Sequence, residues 1–119
     1  MATVLTDAGE AYVIDKITDV SALKAEHVGW GTGAGTAAKG DTVLFTEAAE
    51  SRVVAIESQP TADKVRWLAT ITSASGQTIT NAGNFDASTV GNLVVHGDFV
   101  GIVLANGDKI EFTIELEIT

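Results

Sequence analysis

The clearest pattern in the chain lies at its end. From Ile110 to Thr119 the residues alternate strictly, with Ile110, Phe112, Ile114, Leu116 and Ile118 apolar and Glu111, Thr113, Glu115, Glu117 and Thr119 polar. That period of two predicts a half-buried β-strand with one wet face. Lys64 to Thr72 is dense in β-formers and puts Val65, Trp67, Ala69 and Ile71 on one side, which predicts another strand. Arg52 to Glu57 reads as the first clear strand, Thr78 to Thr80 as a short one, and Asn92 to His96 opens a further ordered stretch. Asn106-Gly107, between Phe99–Ala105 and Lys109–Ile118, is a strong hairpin signal, because both residues accept the positive φ of a type I′ turn. A two-residue loop there sets Val103 opposite Ile110, Gly101 opposite Phe112 and Phe99 opposite Ile114. Val100, Ile102 and Leu104 then fall on the wet face beside the acids. The strand from Phe99 is apolar on both sides and needs a cover, from this chain or from another protein.

The amino-terminal half carries helix signals. Thr6 is placed to cap a helix through Ala8, Tyr12 and Asp15 to Ile17, with Gly9 lowering its propensity. Asp41 or Thr42 is placed to cap a second, short helix running to about Ala49. Between them, from His27 to Gly40, glycines and small residues predict little beyond a short entering strand, with a flexible arm or loop at 29–40. Turns are expected at Pro60 and from Asn84 to Gly91. The whole predicts one mainly β domain over 1–119, an antiparallel β-sandwich or small barrel with one or two short helices in the amino-terminal half.

Composition narrows the function. A chain of 119 residues, 45% hydrophobic and 19% charged, can build one core. Its net charge of -9 repels nucleic acid and anionic membranes. No apolar run approaches the roughly 20 residues of a membrane-spanning helix. The start, Met1-Ala-Thr-Val-Leu5, lacks the basic and apolar regions of a signal peptide, so assembly in the cytosol is expected. Without cysteine there is neither a disulfide nor thiolate chemistry.

Candidate chemistry is thin. The G-x-G-x-x-A match from Gly33 to Ala38 lacks the strand–turn–helix context of a dinucleotide site, so no cofactor is expected. His96 and Asp98 lie two apart on one strand and His27 is available elsewhere, but two histidines make a weak case for a metal. Glu111, Glu115 and Glu117 share a face with the spacing of a solvated edge rather than a catalytic pair. The residues point to neither catalytic nor metal chemistry.

Five segments in order resemble small virion proteins of tailed bacteriophages: Leu5-Thr-Asp-Ala-Gly9, Gly29-Trp-Gly-Thr-Gly33, Asp41-Thr-Val-Leu-Phe-Thr-Glu-Ala-Ala-Glu-Ser-Arg52, Ile79-Thr-Asn-Ala-Gly-Asn-Phe-Asp86 and Gly107-Asp-Lys-Ile-Glu-Phe-Thr113. Two kinds of protein share this pattern, the capsid decoration or cement subunits and the amino-terminal collar domains of tail fibres. Asn81 and Asn84 stand where fibre collars tend to carry an acid and an apolar residue. The chain stops at Thr119, where a fibre is expected to continue into a shaft. The resemblance therefore implies a decoration protein on the capsid surface that binds the major capsid protein as a homotrimer. A tail, baseplate or collar subunit is the alternative, and a free glycan-binding module is a third. Trp30, Phe45, Phe99, Val100, Ile102 and Leu104 are the candidate oligomer or capsid interface, and Ile102→Asp is expected to abolish assembly.

Overall fold

The computed structural model describes residues 1–18 and 24–119. Among the described residues, eight strands and one helix follow in the order β1 (Thr3–Leu5), α1 (Asp7–Ile17), β2 (His27–Gly31), β3 (Val53–Val54), β4 (Ile56–Thr61), β5 (Lys64–Thr72), β6 (Gln77–Phe85), β7 (Leu93–Leu104) and β8 (Lys109–Glu117). They form two antiparallel sheets, a five-stranded one ordered β1-β7-β6-β2-β3 and a three-stranded one ordered β4-β5-β8. The fold is mainly β and consistent with a sandwich. Its core places Trp67, Ala69 and Ile71 of β5 with Val28 and Trp30 of β2, Ile79 and Ala82 of β6, and Val94 and Leu104 of β7. The alternation of β5 and β8 explains their pairing: along the ladder from Ile71↔Ile110 to Val65↔Leu116, apolar residues share the inner face.

Thr6 caps α1 as its sequence predicts, its hydroxyl accepting from the Gly9 N–H at 2.9 Å. The same hydroxyl donates to the Leu93 carbonyl, tying the cap to β7. Gly9 is needed for that approach, since a Cβ there would lie 2.3 Å from the Val94 carbonyl oxygen. Gly9→Ala is therefore expected to destabilise by about 1–2 kcal/mol, although it favours an isolated helix by about 1 kcal/mol. A urea titration checks the sign.

Four sequence expectations give way to tertiary structure. Phe99–Ala105 and Lys109–Ile118 do not form a hairpin in one sheet, because β7 pairs with β6 (Gln77↔Leu104, Ile79↔Ile102) and β8 pairs with β5. Asn106-Gly107 does turn the chain, with Gly107 at φ 93, but it crosses between sheets and is anchored on Ser73 by the bonds Gly107 N–H to Ser73 O and Ser73 N–H to Asp108 O, both 2.7 Å. The crossing brings Phe99 to Phe112 across the interior, ring centroids 6.2 Å apart. The second helix, from Asp41 to Ala49, does not form. Asp41 spends its carboxylate on the Ala38 N–H, Thr46 takes φ 50, and Glu47 bridges to Gly31. Pro60 lies inside edge strand β4, at its register slip between Ser58 and Thr61, where no ladder N–H is required of it. Finally, β6 runs on to Phe85, past the expected start of a turn at Asn84.

Candidate interaction surface

A bulge in β7 shapes its exposed side. Asp98 pairs with Asn81 and Ile102 with Ile79, so four steps of β7 match two of β6. The extra residues break the alternation and re-aim side chains. Phe99 turns in against Phe112, Leu104 joins the core at 7% exposure, and Val100 and Val103 stand out at 85% and 80%. Ile102, opposite buried Ile79, remains 41% exposed. On its far side β7 is paired with β1 only from Val95 to Gly97. Among the described residues no strand pairs with 99–104 on that side. Between Asp98 and Asp108 this segment contains no charge.

The predicted interface residues therefore separate. Val100 and Ile102 are exposed and Phe99 is half-buried. Trp30, 1% exposed, and Leu104 are enclosed in the core and offer no side chain to a partner. Trp30 packs edge-on against Phe112, and its indole N–H donates to Glu50 at 3.1 Å. Phe45 lies over the other face of the five-stranded sheet, its ring 4.7 Å from that of His96. Val103 is the exposed residue that sequence reasoning missed. Strict alternation put it inward, and only the bulge turns it out.

Residues 32–52 cross that other face. Thr32 and Gly33 N–H donate to the carbonyls of Thr46 and Phe45 at 3.0 and 2.9 Å, and Ala37 N–H donates to Asp98 at 2.8 Å. Asn81 clamps Phe45 from both sides, accepting its N–H and donating to its carbonyl, each at 3.0 Å. His96, fully buried, faces Asp41 Oδ2 at 2.7 Å through Nδ1 and Asn81 Oδ1 at 3.0 Å through Nε2. Both ring nitrogens are thus engaged. Among the described residues no group of three or more His, Cys, Asp or Glu is placed to hold a metal. The stretch from Gly33 to Ala38 follows β2 without leading into a helix. Glu115 pairs with Lys64 and Arg66, and Glu117 with Lys64, on the wet face of β8.

Three of the segments that carry the phage resemblance, 29–33, 41–52 and 79–86, meet in space. Arg52, its side chain 5% exposed, forks onto Glu47 at 2.8 and 2.9 Å and donates to the carbonyls of Ala87 and Val90. Its guanidinium sits 3.4 Å from the centroid of the Phe85 ring. Asp86 closes the adjacent turn by accepting from the Asn92 backbone and side chain at 2.7 and 2.9 Å. Asn84, also buried, joins the Ala25 carbonyl to the Val95 N–H. Glu47, Arg52, Phe85 and Asp86 hold one loop cluster together.

Two carboxylates make the fold sensitive to acid. Burial pushes Glu50 up, but hydrogen bonds from the Ala74 N–H, Trp30 and Gln77 outweigh it and hold Glu50 below its ordinary range. Asp98 is held down by the Ala37 N–H, with the Ala2 N–H and the terminal amine adding to it. Groups lowered in the folded state contribute stability above their unfolded values that is lost as pH falls through the folded ones. The urea midpoint is therefore expected to fall on acidification below about pH 4, the ordinary carboxylate range. Glu50→Gln should be less stable at neutral pH and shallower in its acid limb.

No family model, curated protein or solved structure matches the chain.

Proposed function

We propose that this protein is a structural subunit of a bacteriophage particle, a decoration protein that binds the shell of major capsid protein and stabilises it as trimers, without catalysis. The observation that carries the reading is the exposed, uncharged strip of Val100, Ile102 and Val103 on a small acidic sandwich. Exposed aliphatic residues grouped on an uncharged segment are a feature of contact surfaces, and the bulge that turns Val103 to solvent adds it to Val100. The resemblance adds the setting. A shell presents many identical sites, so a subunit this small gains avidity by meeting its copies around a local symmetry axis. The strip serves as that seam.

The test is co-sedimentation with expanded heads of the phage that encodes the chain. Saturable binding in a fixed ratio to the shell protein is expected, and Val103→Asp, at a site too exposed to unsettle the fold, should weaken it at least tenfold. Absence from saturated heads, with a few copies in purified tails instead, would replace this reading with the tail or baseplate one.

A further inference from the structure

We infer that β8 is a self-pairing edge: a second copy of this chain adds its own β8 antiparallel to the free side of the first, across a two-fold axis at Phe112, and the two three-stranded sheets become one.

The edge is open and its spare groups can be named. β8 pairs with β5 on one side, and among the described residues no strand pairs with the other. Ser73 N–H donates to Asp108 O at 2.7 Å and Ile118 N–H to Asp63 O at 2.9 Å, each between residues opposite one another in the continued β5–β8 register. Residues opposite in an antiparallel ladder alternate between bonded and non-bonded pairs. The even-numbered residues of β8 are therefore bonded to β5, and Lys109, Glu111, Thr113, Glu115 and Glu117 point their N–H and C=O groups outward. The far edge of the same sheet is blunted by Pro60 and a register slip in β4, devices that discourage strand addition. β8 runs its full length against β5 without such a break.

The apolar side of β8 also lacks cover. Ile110, Phe112, Ile114 and Leu116 are half-buried, whereas Trp67, Ala69 and Ile71 of β5 beside them are enclosed. A cleft of about 150 Å³ opens beside Thr113 and Glu115, between Phe112 and Ile114 of β8 and Val95 and Phe99 of β7. A strand that suits this edge alternates apolar and polar residues, as β8 itself does.

Charge selects the occupant and its register. Across a two-fold axis outward residues must meet outward residues, so only odd positions face odd ones. With the axis at Phe112, Lys109 faces Glu115 of the second copy, Glu111 faces Thr113, and Phe112 meets Phe112 in a close non-bonded pair. Moving the axis to Glu111, Thr113 or Ile114 sets Glu111 against another glutamate, at 111, 115 or 117 in turn. Among the described residues Lys109 forms no ion pair within its own chain. The glutamates thus fix one register and keep their side chains in water. The pairing involves different residues from the Val100–Val103 strip and rests on no assumption about the particle.

Sedimentation equilibrium and amide exchange on the full chain decide it, run on the native protein and on Val103→Asp so that contact through the strip is separated. Both should form a reversible dimer through β8. As concentration rises, the Glu111, Thr113 and Glu115 amides should slow together, while those of Phe112 and Ile114, already bonded to β5, stay unchanged. Thr113→Pro removes an outward N–H at a position where an edge strand tolerates proline, and should raise the dissociation constant by about tenfold or more, the loss of roughly 1.4 kcal/mol. Lys109→Glu should weaken pairing, and adding Glu115→Lys should restore it. A Val103→Asp protein that stays monomeric, or a dimer whose Glu111 and Thr113 amides remain fast, would overturn the inference. A native trimer with those amides fast would overturn it too and leave the decoration reading standing. Amides that slow only when another protein is added would assign the edge to that partner instead of a second copy.

Discussion

Trp30→Ala is expected to cost about 3–5 kcal/mol of folding stability, the usual range for removing a buried tryptophan. The indole fills the space between the two sheets against Phe112 at 6.2 Å, and cavities at such positions relax only in part. It also donates to Glu50, which accepts from Ala74 and Gln77 as well, so its loss disturbs the link between the 50s loop and the start of β6. The urea midpoint should drop sharply, while shell binding by the protein that remains folded should be unchanged. An interface role would give the reverse, weakened binding at normal stability.

Arg52→Ala should follow closely, with a loss of about 3 kcal/mol. Breaking a buried ion pair commonly costs about 3–5 kcal/mol, and the lower end applies because Glu47 is 33% exposed. Three kinds of contact go at once: the fork onto Glu47, the stack on Phe85, and the two bonds that hold the 87–90 turn. Lysine offers one compact charge without the planar fork, so Arg52→Lys should recover less than half of the loss. Thermal melts of the three proteins side by side check the order.

These two residues also show where sequence reasoning succeeds and where it stops. The periodic segments were legible: β5 spans the predicted Lys64–Thr72, β8 alternates as written, and Thr6 caps α1. Each is decided by local chemistry or by a period that burial enforces on one face. What was hidden depends on partners far along the chain. The Phe99–Ala105 and Lys109–Ile118 segments looked like two arms of one hairpin, yet Ser73 anchors their turn and sends them to different sheets. Trp30 looked like a loop aromatic because its neighbours are glycines, yet those glycines lie in a buried strand. Of the predicted contact residues, Val100 and Ile102 remained available, Trp30 and Leu104 turned inward, and Val103 came out through a bulge that leaves no pattern in the sequence. The motif residues from Glu47 to Asp86 hold the scaffold together, and the exposed strip lies outside those segments.

The central claim is a place on the capsid, and counting copies tests it most directly. On the proposed reading, particles of a phage that encodes the chain would be separated into heads and tails and the chain quantified against the shell protein by mass spectrometry with labelled peptide standards. The account predicts many copies per head in fixed proportion to the shell protein and none in tails. A few copies per particle, confined to tails, would contradict it.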